Sequence, residues 1–406
     1  MMIKHLNKFC LVSLILCLSN SVSAEDERFD VYYAGFAFSG DFADRTQSAK
    51  YTDKIMKYKD STGLDVISSS LIKSIKNVKA PNFDISFDMA DLDKGDFDST
   101  VMSIVLDNEA YSAAFEPLTS TYLNNVDMYF QILFYNFKSR KLIAAIPFDV
   151  EINTLSKNKF TDNDVIDLIR KFYVDGLRGE DGNVINPFNK AEQILNNFVL
   201  KEKYRFHIGV TDVIVEDRAK EVMPRHVLNN IKNFKNTVAQ SFSSRLSLHQ
   251  NIALVPFQEG EAIGGKMKQR FANSDTIYDI QLPIPDFSIK LKLRGYKKQL
   301  AKSSDVANIY LFGSYVNIKI LQPDIKKVYI DKNFKKGNQI EIPNQIQNTN
   351  DWRRFYASTV KLFDEFSINI SKKDTKWLKF QKSKNQSSNE VSADLDKVQS
   401  VLKKVR

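Results

Sequence analysis

The sequence predicts an α/β to α+β fold in two domains, each a mixed or mostly antiparallel sheet packed with helices. Three observations lead there. Stretches at 126–152 and 286–296 alternate apolar and other residues with period two, as strands do. Between them lie segments with apolar residues at helical spacing, such as Leu228, Ile231, Phe234, Val238, Phe242 and Leu246. The 406 residues are 43% hydrophobic and 26% charged, with only 14 Gly and 10 Pro, so the chain can bury two cores and is not collagen-like, mucin-like or wholly disordered.

In the first half, 30–39 reads as a strand closed by Gly40-Asp41, and 41–63 as an irregular excursion. Leu64, Ile67, Leu71, Ile72 and Ile75 mark a helix, and 83–88 a short strand. Met128, Phe130, Ile132 and Phe134, then Leu142 to Ile152, form the two arms of an antiparallel hairpin, with Pro147 placing the second arm at an edge or bulge. Thr161 caps a helix over 161–173, and 189–200 reads as another. In the second half, strands are expected at 204–215, 252–257, 286–296, 309–321 and 327–330, with helices over 225–248 and 352–370. This order resembles that of the periplasmic α/β modules of TolB N-terminal type. The resemblance is one of element order without a shared motif, and it implies a place in envelope machinery.

Met1–Ala24 reads as an export signal. Lys4 and Lys8 precede the apolar run 9–18, and Val22 and Ala24 occupy the small-residue positions read at cleavage, which is expected after Ala24. Cys17 follows the bulky Leu16, which argues against a lipid-attachment site. Both cysteines, Cys10 and Cys17, lie in this leader, so the mature chain has no thiol chemistry, no disulfide and no Cys-based zinc site. A periplasmic or secreted location follows. No later apolar run is long enough for a membrane-spanning helix, so the chain is not expected to be integral to the membrane.

Charge is segregated. Residues 25–200 hold 19 basic and 28 acidic side chains, residues 201–370 hold 27 and 17, and residues 371–406 hold 10 and 4. Either the two halves pack against one another or copies associate head to tail, unless the surfaces merely differ in composition. Within 288–336 there are 12 Lys/Arg against three Asp. Lys290, Lys292 and Arg294 alternate with apolar residues and should project as a row from one sheet face. Lys297, Lys298, Lys326 and Lys327 extend the basic surface. The partner expected for it is an envelope protein or another copy of the chain, with anionic lipid or glycan as alternatives. It also suits a plain solvent face that discourages edge pairing. No nucleic-acid motif is present.

Reactive signatures are sparse. There is no GxSxG, no GxxxxGK[ST], no GxGxxG and no HExxH, and Gly264-Gly265-Lys266 lacks the Ser/Thr of a phosphate loop. His207, His226 and His249 are spaced too far apart for paired ligation on one helix. The stretch 84–98, rich in Asp, resembles a calcium loop around Gly95, but Met102 stands where a bidentate Glu belongs, and an acidic turn is the better reading. No metal or cofactor is expected.

The polar stretch 381–390 reads as a linker and 391–406 as an amphipathic tail helix. Its apolar stripe includes Leu395, Val398 and Leu402. So short a helix is expected to order only on a partner. The whole reads as an exported, non-enzymatic scaffold or accessory protein of a bacterial envelope assembly, with domains at 25–200 and 201–380. The alternative is a secreted hydrolase of an anionic or cell-wall glycan, with carboxylates of 84–98 supplying the chemistry.

Overall fold

The computed structural model describes residues 28–39, 48–87, 99–116, 119–179, 182–257, 265–271, 277–346 and 351–406. The expected leader and cleavage point, Gly264 and the Asp-rich residues 88–98 lie outside the described residues.

The architecture is mixed α/β, built on two sheets. The strands of the first are β1 (Phe29–Ser39), β2 (Phe83–Ser86), β3 (Thr100–Glu116), β4 (Thr121–Asn136), β5 (Leu142–Ser156), β9 (Lys266–Phe271) and β10 (Ile277–Gln281). Their order is β10-β9-β1-β3-β4-β5, with β2 beside β1. β1 runs parallel to β2 and β3, while β3, β4 and β5 form an antiparallel meander. Helices α1 (Val66–Ile75), α2 (Asp162–Val174) and α3 (Pro187–Leu195) pack on one face. Phe36, Phe130, Phe134, Phe172, Tyr173 and Phe188 fill the space between. Each helix starts where its sequence offers a cap. Asp65 accepts from Ser68, Thr161 forms a capping box with Asp164, and Asn186 accepts from the two residues after Pro187.

β3, the central strand, carries no clear period-two signal, because Val101 to Glu109 is buried on both faces. The two short strands β6 (Leu177–Arg178) and β7 (Val184–Ile185) form a separate hairpin.

The second sheet is β13-β12-β11-β8, from β8 (Ile208–Val215), β11 (Phe287–Ser303), β12 (Ala307–Gln322) and β13 (Lys327–Pro343). Its core face packs against α4 (Ile231–Gln250), α5 (Asp351–Lys372), α6 (Thr375–Phe380) and α7 (Ser388–Val405). The helix expected over 225–248 is split. A single turn at Arg225–Leu228 ends at Asn229-Asn230, and α4 begins after it, since consecutive asparagines favour caps and turns over helix interior.

The two cores are stitched together. β9 and β10, from the second half of the chain, extend the first sheet beyond β1. The segment 252–257 runs between the sheet edges, with Leu254 N–H donating to Ala145 O at 2.9 Å and Val255 N–H to Ile208 O at 2.8 Å. It approaches β8 so closely that a Cβ at Gly209 would lie 2.9 Å from Val255 O, which only glycine permits. At the far end Gln281 N–H donates to Arg140 O at 2.7 Å, so edge strand β10 meets the chain entering the opposite edge, β5. The first sheet is thereby curled around a second small core of Ala37, Val105, Leu133, Val255, Met267 and Ile280.

Candidate functional site

Where the curled sheet is pinned, a cleft of about 870 Å³ opens between the sheet's end and residues 202–207. One wall carries Asp30 and Tyr32 of β1 and Lys141 just before β5. The other carries Glu202, Lys203, Tyr204 and His207. Its volume and its position between two cores are those of small-molecule sites.

His207 is the one histidine at this cleft. Its backbone is fixed, since its N–H donates to Asp286 Oδ2 at 2.7 Å and its carbonyl accepts from Phe287 N–H at 3.0 Å. Burial pulls its ring below the ordinary histidine pKa, against the opposing charge of Asp286, and favours the neutral imidazole. His249 instead pairs with Asp364 at 2.6 Å, and His226 is exposed on its single helical turn. Among the described residues no group of three His, Cys, Asp or Glu could hold a metal. Of the Asp-rich stretch only Asp84 is described among its acids up to Asp98, and Arg28 holds it at 2.7 Å.

The three basic residues expected in a row share one face, and of those expected to extend it Lys298 lies on the other. Helices α4 to α7 pack one face of the second sheet, and Lys290, Lys292 and Arg294 lie on the other. Lys290 sits directly opposite Lys319 on β12 and Asp212 on β8, and Lys319 is opposite Asp331, which it holds at 3.0 Å. Lys292 lies 3.9 Å from Glu216. The side chains of Lys290 and Arg294 make no ion pair or hydrogen bond with any described residue. Arg294 stands at a bulge made with Gly295, whose φ of 155° suits glycine. Beyond the bulge Lys297 keeps to the outer side, opposite Gly313. Lys298 turns to the helix side, 2.9 Å from Asp351 and 4.6 Å from the Tyr310 ring centre. Lys326 and Lys327 are exposed at the β12–β13 turn.

The apolar tail residues call for a correction. Leu395, Val398 and Leu402 are 0%, 0% and 1% exposed and belong to the chain's own second core. The tail helix is ordered by α5 and β13, so this stripe is not free for a partner. The stretch 381–390 is likewise no free linker. Gln381 and Gln386 are buried, and each pairs with one residue of edge strand β13. Gln386 accepts from Asn333 N–H at 3.0 Å and donates to Asn333 O at 2.9 Å, and Gln381 does the same with Lys335 at 2.9 and 3.1 Å. Two side-chain amides thus stand in for a neighbouring strand.

Packing of the two halves against one another was one of the outcomes the charge split allowed, but the residues that make the seam were not foreseen. The acidic face of β4 and β5 is met by arginines from the second half. Arg245 of α4 lies 2.7 Å from Asp149, Arg353 of α5 donates to Asn153 Oδ1 at 2.8 Å, and Arg354 lies 4.0 Å from Glu116. Asp127, directly opposite Glu151, is pushed up to about 7 by burial, with Glu151 and Asp149 adding to it and Arg353 opposing. Burial likewise lifts Asp107 to about 6 and Glu109 to about 7. Acids at 107 and 109 within an apolar strand were the available signal, since such groups are seldom buried without a specific set of donors.

No family model and no curated protein matches the chain. Among solved structures it is similar to protein XCC0632 from Xanthomonas campestris, at 15% identity over 22% of this chain and 45% of that one, with a TM-score of 0.15. It is also similar to the hypothetical protein CT253 from Chlamydia trachomatis, at 13% over 41% and 95%, TM-score 0.24. A third is a minor lipoprotein from Acinetobacter baumannii, at 9% over 42% and 91%, TM-score 0.21. Similarity of this extent assigns neither a site nor an activity. Among the described residues no helix is long and apolar enough to cross a membrane.

Proposed function

We propose that this chain is an exported, non-enzymatic accessory protein of a bacterial envelope assembly that holds a protein partner or a second copy through the open face of its second sheet. Export rests on the leader and on the lack of cysteine after it. The single observation that carries the contact surface is that Lys290 and Arg294 stand exposed on the sheet face away from α4 to α7, with no ionic partner among the described residues. Directly opposed Lys290 and Lys319 raise the positive potential there, and Asp212 and Asp331 flank it without neutralising Arg294. An acidic patch on a partner is the complement.

The test is crosslinking in cells of the wild-type chain against a Lys290→Glu/Arg294→Glu double variant, with salt titration of the purified complex. The reading expects a loss of the crosslinked species in the variant and roughly tenfold weaker binding at high salt, since exposed charges are screened within about 10 Å at 0.1 M. Unchanged crosslinks and salt-independent affinity would remove it.

A further inference from the structure

We propose that the cleft at the pinned end of the first sheet binds a small zwitterionic ligand with the chemistry of a short peptide whose ammonium and carboxylate ends are both free. This site does not depend on the basic face, none of whose residues lines it.

The inference starts from charge placement. Each wall bears one acid and one base, with Asp30 and Lys141 on the sheet side and Glu202 and Lys203 on the other. All four are exposed at the rim, and none of their side chains makes an ion pair or hydrogen bond with a described residue. Four opposed charges around one space that do not close on each other leave room for a guest carrying both signs. A polyanion would face two carboxylates, and a polycation two lysines, so both are selected against. The carboxylate of a zwitterion meets the lysines and its ammonium meets the acids.

The interior suits the remainder of such a guest. Leu142 and Leu282 are buried in the cleft's lining, and the Tyr32 and Tyr204 rings offer apolar surface for side chains. The neutral His207 ring is able to donate or accept one hydrogen bond without adding charge. The sheet wall is held in place before any ligand arrives by the bond between Gln281 N–H and Arg140 O at 2.7 Å, which lowers the ordering cost of binding.

The experiment is equilibrium dialysis of the mature protein against a mixture of tripeptides with free termini, read by mass spectrometry. The same mixture acetylated and amidated, and a neutral tri-N-acetylglucosamine, run in parallel. Retention of the free peptides at least tenfold above the capped ones is expected, and Lys141→Met and Glu202→Gln should each reduce it about tenfold. Lys159→Met, far in sequence and outside the cleft lining, should leave it unchanged, and thermal melts confirm that all variants fold. Equal retention of free and capped peptides, retention of the saccharide alone, or no retention at millimolar concentration would each overturn the proposal. Failure here leaves the crosslinking result for the second sheet unaffected, so the two readings fall separately.

Discussion

Replacing Glu109 by Gln tests how the first core tolerates a buried carboxyl. Glu109 accepts hydrogen bonds from Tyr51 N–H at 2.5 Å, Thr52 N–H at 3.0 Å and the Thr52 hydroxyl at 2.6 Å. These donors favour the ionised form, but burial outweighs them and lifts the group from 4.5 to about 7. The folded carboxyl thus keeps its proton to higher pH than the unfolded one. Folding takes up a proton between about 4.5 and 7, so stability is greatest below 4.5, falls as pH rises through that window, and levels off above 7. The displacement corresponds to ~3 kcal/mol, of which ~2.5 kcal/mol falls between pH 5 and 8. Asp107 and Asp127 act in the same direction, with windows that close at about 6 and about 7. Urea unfolding of wild type and E109Q at pH 5, 6, 7 and 8 isolates the Glu109 share. The amide keeps an acceptor for the Tyr51 and Thr52 N–H groups. E109Q should therefore lie within ~1 kcal/mol of wild type at pH 5 and be the more stable of the two at pH 8. Parallel pH profiles for the two proteins would refute the assignment of a raised folded-state pKa to this group.

Three further outcomes follow from packing. Leu395→Ala should cost ~2–5 kcal/mol in urea unfolding, because the side chain is 0% exposed, while a free tail would make it neutral. Gln381→Ala with Gln386→Ala should speed hydrogen exchange at the Asn333 and Lys335 amides and leave the amides between β11 and β12 protected; unchanged rates at the two sites would mean that the glutamines do not cover the β13 edge. Asp149→Asn should cost ~3–5 kcal/mol by leaving Arg245 buried without its anion, and a loss under ~1 kcal/mol would show that the seam carries little of the stability.

Much of the fold could be read from residues. The hairpin of β4 and β5, helices α1 and α2, the strands β8, β11 and β12 and the closing helix α5 lie where period and caps place them, while 252–257 makes only an isolated bridge and β13 runs on to Pro343. The central strand β3 was not legible, since a strand buried on both faces loses its alternation, and Asp107 and Glu109 lower its apparent hydrophobicity. β9 and β10 were missed for another reason. They are short and partly exposed, and β9 joins the sheet by pairing with β1, more than 200 residues earlier, with β10 carried in on β9, which no local pattern encodes. The stripe of α7 was legible as a helix but not as a core element. Periodicity identifies an apolar face, and only the fold says what covers it. The cleft could not have been found from sequence, because its walls come from five separate segments.

The charge split along the chain acquires a specific meaning once the seam is known. An acidic first half and a basic second half allowed either mutual packing or association with other copies, and Arg245, Arg353 and Arg354 turn inward onto the first half's acidic strands. Part of the asymmetry is therefore consumed by folding, and net charge per segment overstates what is left for association. What remains is read by subtraction, residue by residue. Lys319 is held by Asp331, Lys298 by Asp351 and Lys336 by Glu365, whereas Lys290 and Arg294 are held by no described residue. Salt separates the two populations physically. Ions reach the sheet face but not the Arg245–Asp149 pair, whose side chains are 16% and 19% exposed. Raising ionic strength should weaken a partner held by Lys290 and Arg294 while the unfolding free energy changes little. If instead stability and partner binding decline together, the seam itself is solvent-accessible and the division between internal and available charge does not hold.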